Sequence, residues 1–260
     1  MQRSPPSNTA FRNMINLILS LILAASGWAA TLLIFDSFWA GILPFVIILP
    51  LSLFLLSRRI NKKFMAISQR AQDAMQSLPA LKSEEARKNV LDKAVAIFKQ
   101  GYALKHFQFY LAAQLNAQIG TLYYIQKRFK EAEPYLANAF FQQGTAIAMY
   151  ACILYKRKDY DAMAKQFERA VKYSKKVPML WNLYAWCLLQ IKKRDEAIAV
   201  LNRCLTNTPN DQTTLANLDL VKNSAKIKMR GYNEQWYQFH LDTPPPQKVA
   251  YDKRSMYRGH

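Results

Sequence analysis

The feature that most constrains this chain is an absence of charge. From Met14 to Ser57 a single residue, Asp36, is ionisable. One helix of that length would span about twice the ~30 Å hydrocarbon core of a bilayer, so two helices fit better. The first runs from about Met14 to Phe35 and the second from about Phe38 to Leu56. Asp36 and Ser37 mark the turn, with Trp39 beside it as an interfacial anchor. Pro44 and Pro50 fall in the second helix, where a membrane tolerates them better than water does. A cleaved leader would have an apolar core of only ~7–15 residues before its small-residue site. Here the apolar run passes straight through "AASGWAA".

The flanks of this hairpin are basic. Arg3 and Arg12 precede it, Arg58, Arg59, Lys62 and Lys63 follow it, and the short loop between its helices has no Lys or Arg. The positive-inside rule then places both flanks in the cytoplasm. The four residues after the hairpin are candidates for contact with anionic lipid, at about 1 kcal/mol per charge near the surface. The whole chain has 36 Lys and Arg against 17 Asp and Glu, a formal charge of +19. An excess of that size attracts polyanions such as lipid or an acidic protein. Nucleic acid is disfavoured because no recognised binding module occurs.

Beyond the hairpin helical periodicity dominates. A basic amphipathic helix, Ile60 to Gln76, continues out of the membrane. "SLPALKSEE" breaks it, and Ser83 is placed to cap a helix of about Glu84 to Leu104, with Glu84 and Glu85 favourable in its first turn. Self-similarity follows in "NAQIGTLYYIQKRFKEAEPYLANAF", "IAMYACILYKRKDYDAMAKQFERAV" and "WNLYAWCLLQIKKRDEAIAVLNRCL". Each stretch is an apolar helix, a basic turn and a second helix. Phe129, Tyr160 and Arg194 align, as do Leu136, Phe167 and Leu201, and Ala139, Ala170 and Cys204, at spacings of 31 and 34 residues.

This pattern resembles the tetratricopeptide repeat family. The third copy matches best, with Trp181, Tyr184, Ala185, Leu188, Ala197, Leu201, Cys204 and Pro209 at the signature positions. The first supplies Ile119, Gly120, Tyr123, Ala132, Leu136 and Ala139, and the second is degenerate. The resemblance implies an all-α chain: a two-helix transmembrane hairpin, then an α-solenoid with a C-terminal capping helix and a basic tail. The expected segments are 1–13 (cytoplasmic), 14–57 (hairpin), 58–82 (juxtamembrane helix and linker), 83–230 (array) and 231–260 (aromatic segment and Pro-rich tail). Within the array, repeats cover about 113–146, 144–177 and 178–211. Residues 211–230 form the cap, which Gly231 stops.

The resemblance further implies a groove lined by the first helix of each repeat. Its aromatic and polar candidates are Tyr124, Tyr155, Lys156, Asn182, Trp186 and Gln190. The Lys/Asn clamp of chaperone-binding relatives is missing, since Ala117 and Thr121, Ala148 and Cys152, and Asn182 and Trp186 hold those positions. These rings either anchor a partner peptide or pack against this chain's own neighbouring repeat or tail. For the tail, a short aromatic helix over Tyr232 to Leu241 that caps or fills the groove is expected. Pro244 to Pro246 and a basic end with Lys248, Lys253, Arg254 and Arg258 follow.

Sites for chemistry are not evident. Neither GxxxxGK[ST] nor GxGxxG occurs, and none of the three histidines, His106, His240 and His260, has a ligand partner at i+3 or i+4. Cys152, Cys187 and Cys204 sit in apolar helical patterns, as small core residues in a reducing compartment do. No catalytic residue, metal, cofactor or small-molecule substrate is expected. The expected role is a scaffold that binds protein at the cytoplasmic face. By analogy it resembles bacterial inner-membrane repeat proteins that assist complex assembly. The alternative is a permanent subunit of a membrane complex, with Gly27, Gly41 and the two prolines packing against other membrane helices.

Overall fold

A computed structural model of the protein describes residues 15–35, 37–81, 83–108 and 110–243, apart from the side chain of Glu234. The expectations for residues 1–13, for Asp36 and for the tail from Pro244 onward lie outside the described residues. The described residues are helical, with no strand among them. The chain divides into two compact units between Ser174 and Lys175.

The first unit opens with α1 (Ile15–Phe35) and α2 (Ile42–Met75), joined through a short turn at Trp39–Gly41. The 21 residues of α1 rise ~31 Å, the thickness of a hydrocarbon core. Both helices are long and apolar enough to cross a membrane, and most of their side chains are exposed: Leu33 by 86%, Leu43 by 71% and Trp39 by 77%. Several of their hydroxyls are satisfied within the helix, which an apolar surrounding favours, although the buried Ser20 hydroxyl has no partner among the described residues. Thr31 donates to the Trp28 carbonyl at 2.8 Å and Ser52 to that of Leu49 at 3.0 Å.

Two details differ from the sequence expectation. The second membrane helix and the juxtamembrane helix are one, because Pro50 is accommodated within α2 and nothing at Ser57–Ile60 breaks the backbone ladder. Gly27 and Gly41, offered above to other membrane helices, are used inside the hairpin. A Cβ on Gly41 would lie 2.1 Å from the Trp28 ring, and one on Gly27 2.5 Å from Ile48.

The C-terminal half of α2 buries Ile60, Ile67 and Ala71. It packs against α3 (Glu84–Gln100), whose N-terminus Ser83 caps by accepting from the Ala86 N–H at 3.4 Å. A 3-10 turn at Gly101–Leu104 leads to two helical hairpins, α4 (Leu111–Ile125) with α5 (Phe129–Ala137), and α6 (Gly144–Lys156) with α7 (Tyr160–Tyr173). Small residues set the approach. A Cβ on Gly120 would lie 2.7 Å from a Leu136 methyl and 3.1 Å from the Leu136 backbone nitrogen. Ala151 and Ala185 take that position in the later copies, both fully buried.

The second unit holds the third hairpin, α8 (Pro178–Gln190) with α9 (Arg194–Asn207), and the capping helix α10 (Gln212–Lys222). Asp211 caps α10 by accepting from the Thr214 N–H at 2.8 Å. The cap ends at Lys222 rather than continuing to Arg230. Ser224 turns left-handed at φ 62° and the chain reverses, so Gly231 plays no part in stopping the helix. A short helix, α11 (Glu234–Tyr237), closes the described chain.

One turn recurs four times. Lys127, Lys158, Lys192 and Ser224 have φ between 60° and 65°. After each, a backbone N–H reaches back to close the helix end: Arg128 to Tyr123, Asp159 to Leu154, Lys193 to Leu188 and Ala225 to Leu220, at 2.8–3.0 Å. This is the Schellman arrangement, whose left-handed position usually belongs to glycine. A non-glycine residue there costs about 1–2 kcal/mol, and glycine gives back ~0.5–1 kcal/mol through its looser unfolded chain. Lys158→Gly is therefore expected to stabilise the protein by about 0.5–1 kcal/mol. Lys165→Gly, at an exposed position within α7, should cost ~1 kcal/mol. Thermal unfolding followed by circular dichroism checks this pair of opposite signs.

Candidate protein-binding site

The helix α8 shows what the first helix of a repeat presents. Asn182 is fully buried and stands at the centre of a polar chain. Its amide nitrogen donates to the Pro178 carbonyl (2.9 Å), to Thr214 Oγ1 (2.7 Å) and to the Tyr232 hydroxyl (2.8 Å), so one of its two hydrogens is shared. Its oxygen accepts from Asn217 Nδ2 at 2.9 Å. Thr214 and Tyr232 pass their own protons to the Asp211 carboxylate. Asn217 Oδ1 in turn accepts the Lys228 N–H at 2.9 Å, while its amide donates to the Lys228 carbonyl at 3.2 Å. Each donor thus finds an acceptor, and the returning segment after α10 is held as a strand would be. Along it Ile227 and Met229 are buried while Lys226, Lys228 and Arg230 are exposed.

One turn further along α8, Trp186 is half-buried and meets Trp236 of α11 edge to face, ring centres 5.2 Å apart. Trp236 and Phe239 are 1% and 0% exposed. The aromatic segment after residue 230 therefore lies on the face of α8 that carries the candidates Asn182 and Trp186 and packs on both. Only the short Glu234–Tyr237 stretch is α-helical, rather than all of Tyr232 to Leu241, because Asn233 and His240 hold positive φ on either side. The Trp236 indole N–H is buried without a hydrogen-bond partner among the described residues.

The other candidates are distributed differently. Tyr124 is fully buried and packs edge-on to Phe129 at 5.0 Å, so it is a core residue of the first hairpin and presents nothing to a partner. Tyr155 is half-buried, 6.4 Å from Tyr160, and Lys156 is exposed with its ammonium 4.0 Å from the Phe129 ring centre. Burial of that ammonium end, helped by Lys127, pushes its pKa below that of an ordinary lysine. Gln190 is exposed, as are Arg58, Arg59, Lys62 and Lys63 on α2. Cys152, Cys187 and Cys204 are buried in the core and are not joined by disulfides. Among the described residues no three His, Cys, Asp or Glu side chains group to hold a metal ion.

Sequence reasoning missed Asn217, Thr214 and Asp211 as partners of the α8 face. Asp211 carried a signal, since Asp followed three residues later by Thr214 opens an apolar helix as an N-cap does. The two-handed grip of Asn217 on Lys228 left none.

Paired helices with small residues at the crossings, and an aromatic peptide segment laid on the first helix of a pair, define a helical-repeat protein built for protein–protein interaction. Residues 149–212 match a tetratricopeptide repeat family model, which supports the repeat reading over that stretch. That family is generally non-catalytic. No curated protein and no solved structure matches the chain.

Burial raises the Tyr232 phenol well above its ordinary 10.0. As pH rises past 10 the unfolded chain ionises first, so the stability from this contact is whole below pH 10 and is lost as pH climbs toward the folded-state value. Wild type should exceed Tyr232→Phe by about 1 kcal/mol at pH 8, and that margin should shrink above pH 10. Thermal unfolding of both proteins between pH 8 and 11 measures it.

Proposed function

We propose that this protein is a membrane-anchored tetratricopeptide scaffold that holds a protein partner at the cytoplasmic face of the membrane, in the assembly of a membrane-associated complex. The observation that carries the reading is the continuity of α2. Its exposed apolar half, Ile42 to Ser57, runs without a break into the basic residues Arg58, Arg59, Lys62 and Lys63 and then into the packed face that joins the repeats. Basic residues at that height favour a cytoplasmic array by the positive-inside rule.

The partner surface we favour includes Tyr155 and Lys156, which keep exposed area, and the neighbouring helix ends. There Lys127, Lys130 and Lys158 are exposed. Arg128 and Arg157 are engaged by Asp92, Glu131 and Glu133. An acidic protein segment suits this combination. Gln190, exposed on α8 of the second unit, is a separate candidate there. The permanent-subunit alternative loses one support, because Gly27 and Gly41 are used within the hairpin and do not offer a smooth face to other membrane helices.

Two measurements test the proposal. A reporter active only in the cytoplasm, fused after His260, is expected to be active, and inactivity there reverses the orientation. A photo-crosslinking residue at Tyr155 is expected to capture a protein partner in cells, with Lys127→Glu/Lys158→Glu lowering the yield severalfold. Crosslinks confined to this chain would sink the scaffold reading at that surface.

A further inference from the structure

We infer that the hairpin-side edge of the first unit is a lipid-docking surface that seats Tyr110, Phe140, Phe141 and Tyr173 among the headgroups of an anionic bilayer. The inference rests on the hairpin reading above.

The position of this edge follows from one hydrogen bond and from chain direction. The Ile15 N–H, at the start of α1, donates to the His106 carbonyl at 3.0 Å. His106 and its described neighbours 105–108 are thereby held beside the start of α1, where it enters the membrane on that reading. On α2 the same height is near Ile60, between Arg58, Arg59 and Lys62, because α1 and α2 run antiparallel. From there α2 leads away from the membrane to Met75, α3 returns, α4 leads away again and α5 returns. The start of α4, the loop after α5, the start of α6 and the end of α7 therefore share the hairpin-side edge. The turns with Lys127 and Lys158 lie a helix length away, ~20 Å for the 15 residues of α4.

What gathers on the near edge is aromatic. Tyr110 lies 5.3 Å from Phe140 and 5.4 Å from Phe141 between ring centres. Phe140 and Phe141 are 4.6 Å apart, and Phe141 is 4.8 Å from Tyr173. The Phe140 N–H donates to the Ala113 carbonyl at 3.0 Å and fixes this loop against the start of α4. Tyr110 is 54% and Tyr173 44% exposed, although both are large rings that a monomeric core would normally cover. Rings with an apolar body and a hydroxyl tip are the side chains that settle at the bilayer interface.

The charge on this edge fits an anionic surface. Lys105 and Lys172 are exposed, and the Lys172 ammonium lies 5.6 Å from the Tyr173 ring centre. The stretches 101–115 and 134–147 contain no Asp or Glu, and Glu168 is the one carboxylate in the last two turns of α7. The far edge, by contrast, mixes its lysines with Asp92, Glu131 and Glu133. A bilayer, which is flat and continuous with the hairpin, fits the near edge better than a separate protein does.

The test uses the full chain with its buried cysteines replaced by alanine. It is reconstituted without other proteins in nanodiscs of phosphatidylcholine with phosphatidylglycerol. Single nitroxide labels go at Leu23→Cys in α1, Gln142→Cys on the near edge and Lys130→Cys on the far edge. Accessibility to oxygen and to a water-soluble nickel complex reports the depth of each. The expected result is Leu23 in lipid, Gln142 shielded severalfold from nickel, and Lys130 open to water. The shielding at Gln142 should be lost in Tyr110→Ser/Tyr173→Ser and weakened in phosphatidylcholine alone. Leu23 in lipid with Gln142 as open as Lys130 overturns the docking surface and leaves the hairpin standing. Leu23 open to water overturns the hairpin and the inference with it. Equal shielding in neutral and anionic lipid overturns the assignment of an anionic surface.

Discussion

Everything in the helical array depends on where each helix is made to stop. The bond from the Arg128 N–H to the Tyr123 carbonyl, repeated after Lys158, Lys192 and Ser224, ends one helix and aims the next back along it. A helix that stopped a residue later would rotate its successor by about 100° and turn the small residues away from the crossing. With the stop fixed, Gly120 meets Leu136 closely enough that a Cβ would be crowded. At the first turn the carbonyls of Leu122, Tyr124 and Tyr123 accept in order from the N–H groups of Gln126, Lys127 and Arg128. The left-handed strain of a lysine is tolerated because the turn is over-determined by those bonds and by the packing on either side.

In the second unit a different constraint takes over. A buried asparagine costs free energy unless all its groups are paired. Asn182 is paired only because Thr214, Asn217 and Tyr232 converge on it. Its satisfaction therefore requires the cap and the returning segment to be in place together. The aromatic docking of Trp236 on Trp186 adds apolar burial to this network, while the indole N–H of Trp236 goes unpaired. The contact is strong in area and imperfect in hydrogen bonding. The face of α8 that carries Asn182 and Trp186 is thus covered by a peptide of this chain.

The helices were legible because their signals are local. Ser83 before two glutamates, apolar spacing near 3.6 and a basic break between helices are written within a few residues. The repeat register was legible because the same packing positions recur, and Leu136, Phe167 and Leu201 are buried as that register requires. What was not legible depends on partners distant in sequence. Nothing near Asn182 says that its acceptors lie 32 and 50 residues on. Nothing near Gly41 says that Trp28 will lie against it. The left-handed turns were hidden for another reason: lysine is the wrong residue for the position, and the usual glycine signal was missing. The cap extends further in the sequence reading because Lys222 and Lys226 keep a helical spacing of four, whereas Lys226 and Lys228 alternate with buried Ile227 and Met229 on a non-helical segment held by Asn217.

The same turns explain why the first unit has two unlike edges. Strict alternation of direction sends every Lys-bearing turn to one end of the helices and every loop between repeats to the other. The chain can then place lysines with carboxylates on one edge and tyrosines with phenylalanines on the other without either disturbing the core between them. Once the Ile15 N–H is tied to the His106 carbonyl, these edges stop being equivalent. One is held where α1 begins, and the other stands a helix length away. A single backbone hydrogen bond thus converts the symmetry of a repeat into a defined orientation. On the reading proposed above, that orientation gives the basic turns to a partner in solution and the lipid to the aromatic edge and to Arg58, Arg59, Lys62 and Lys63.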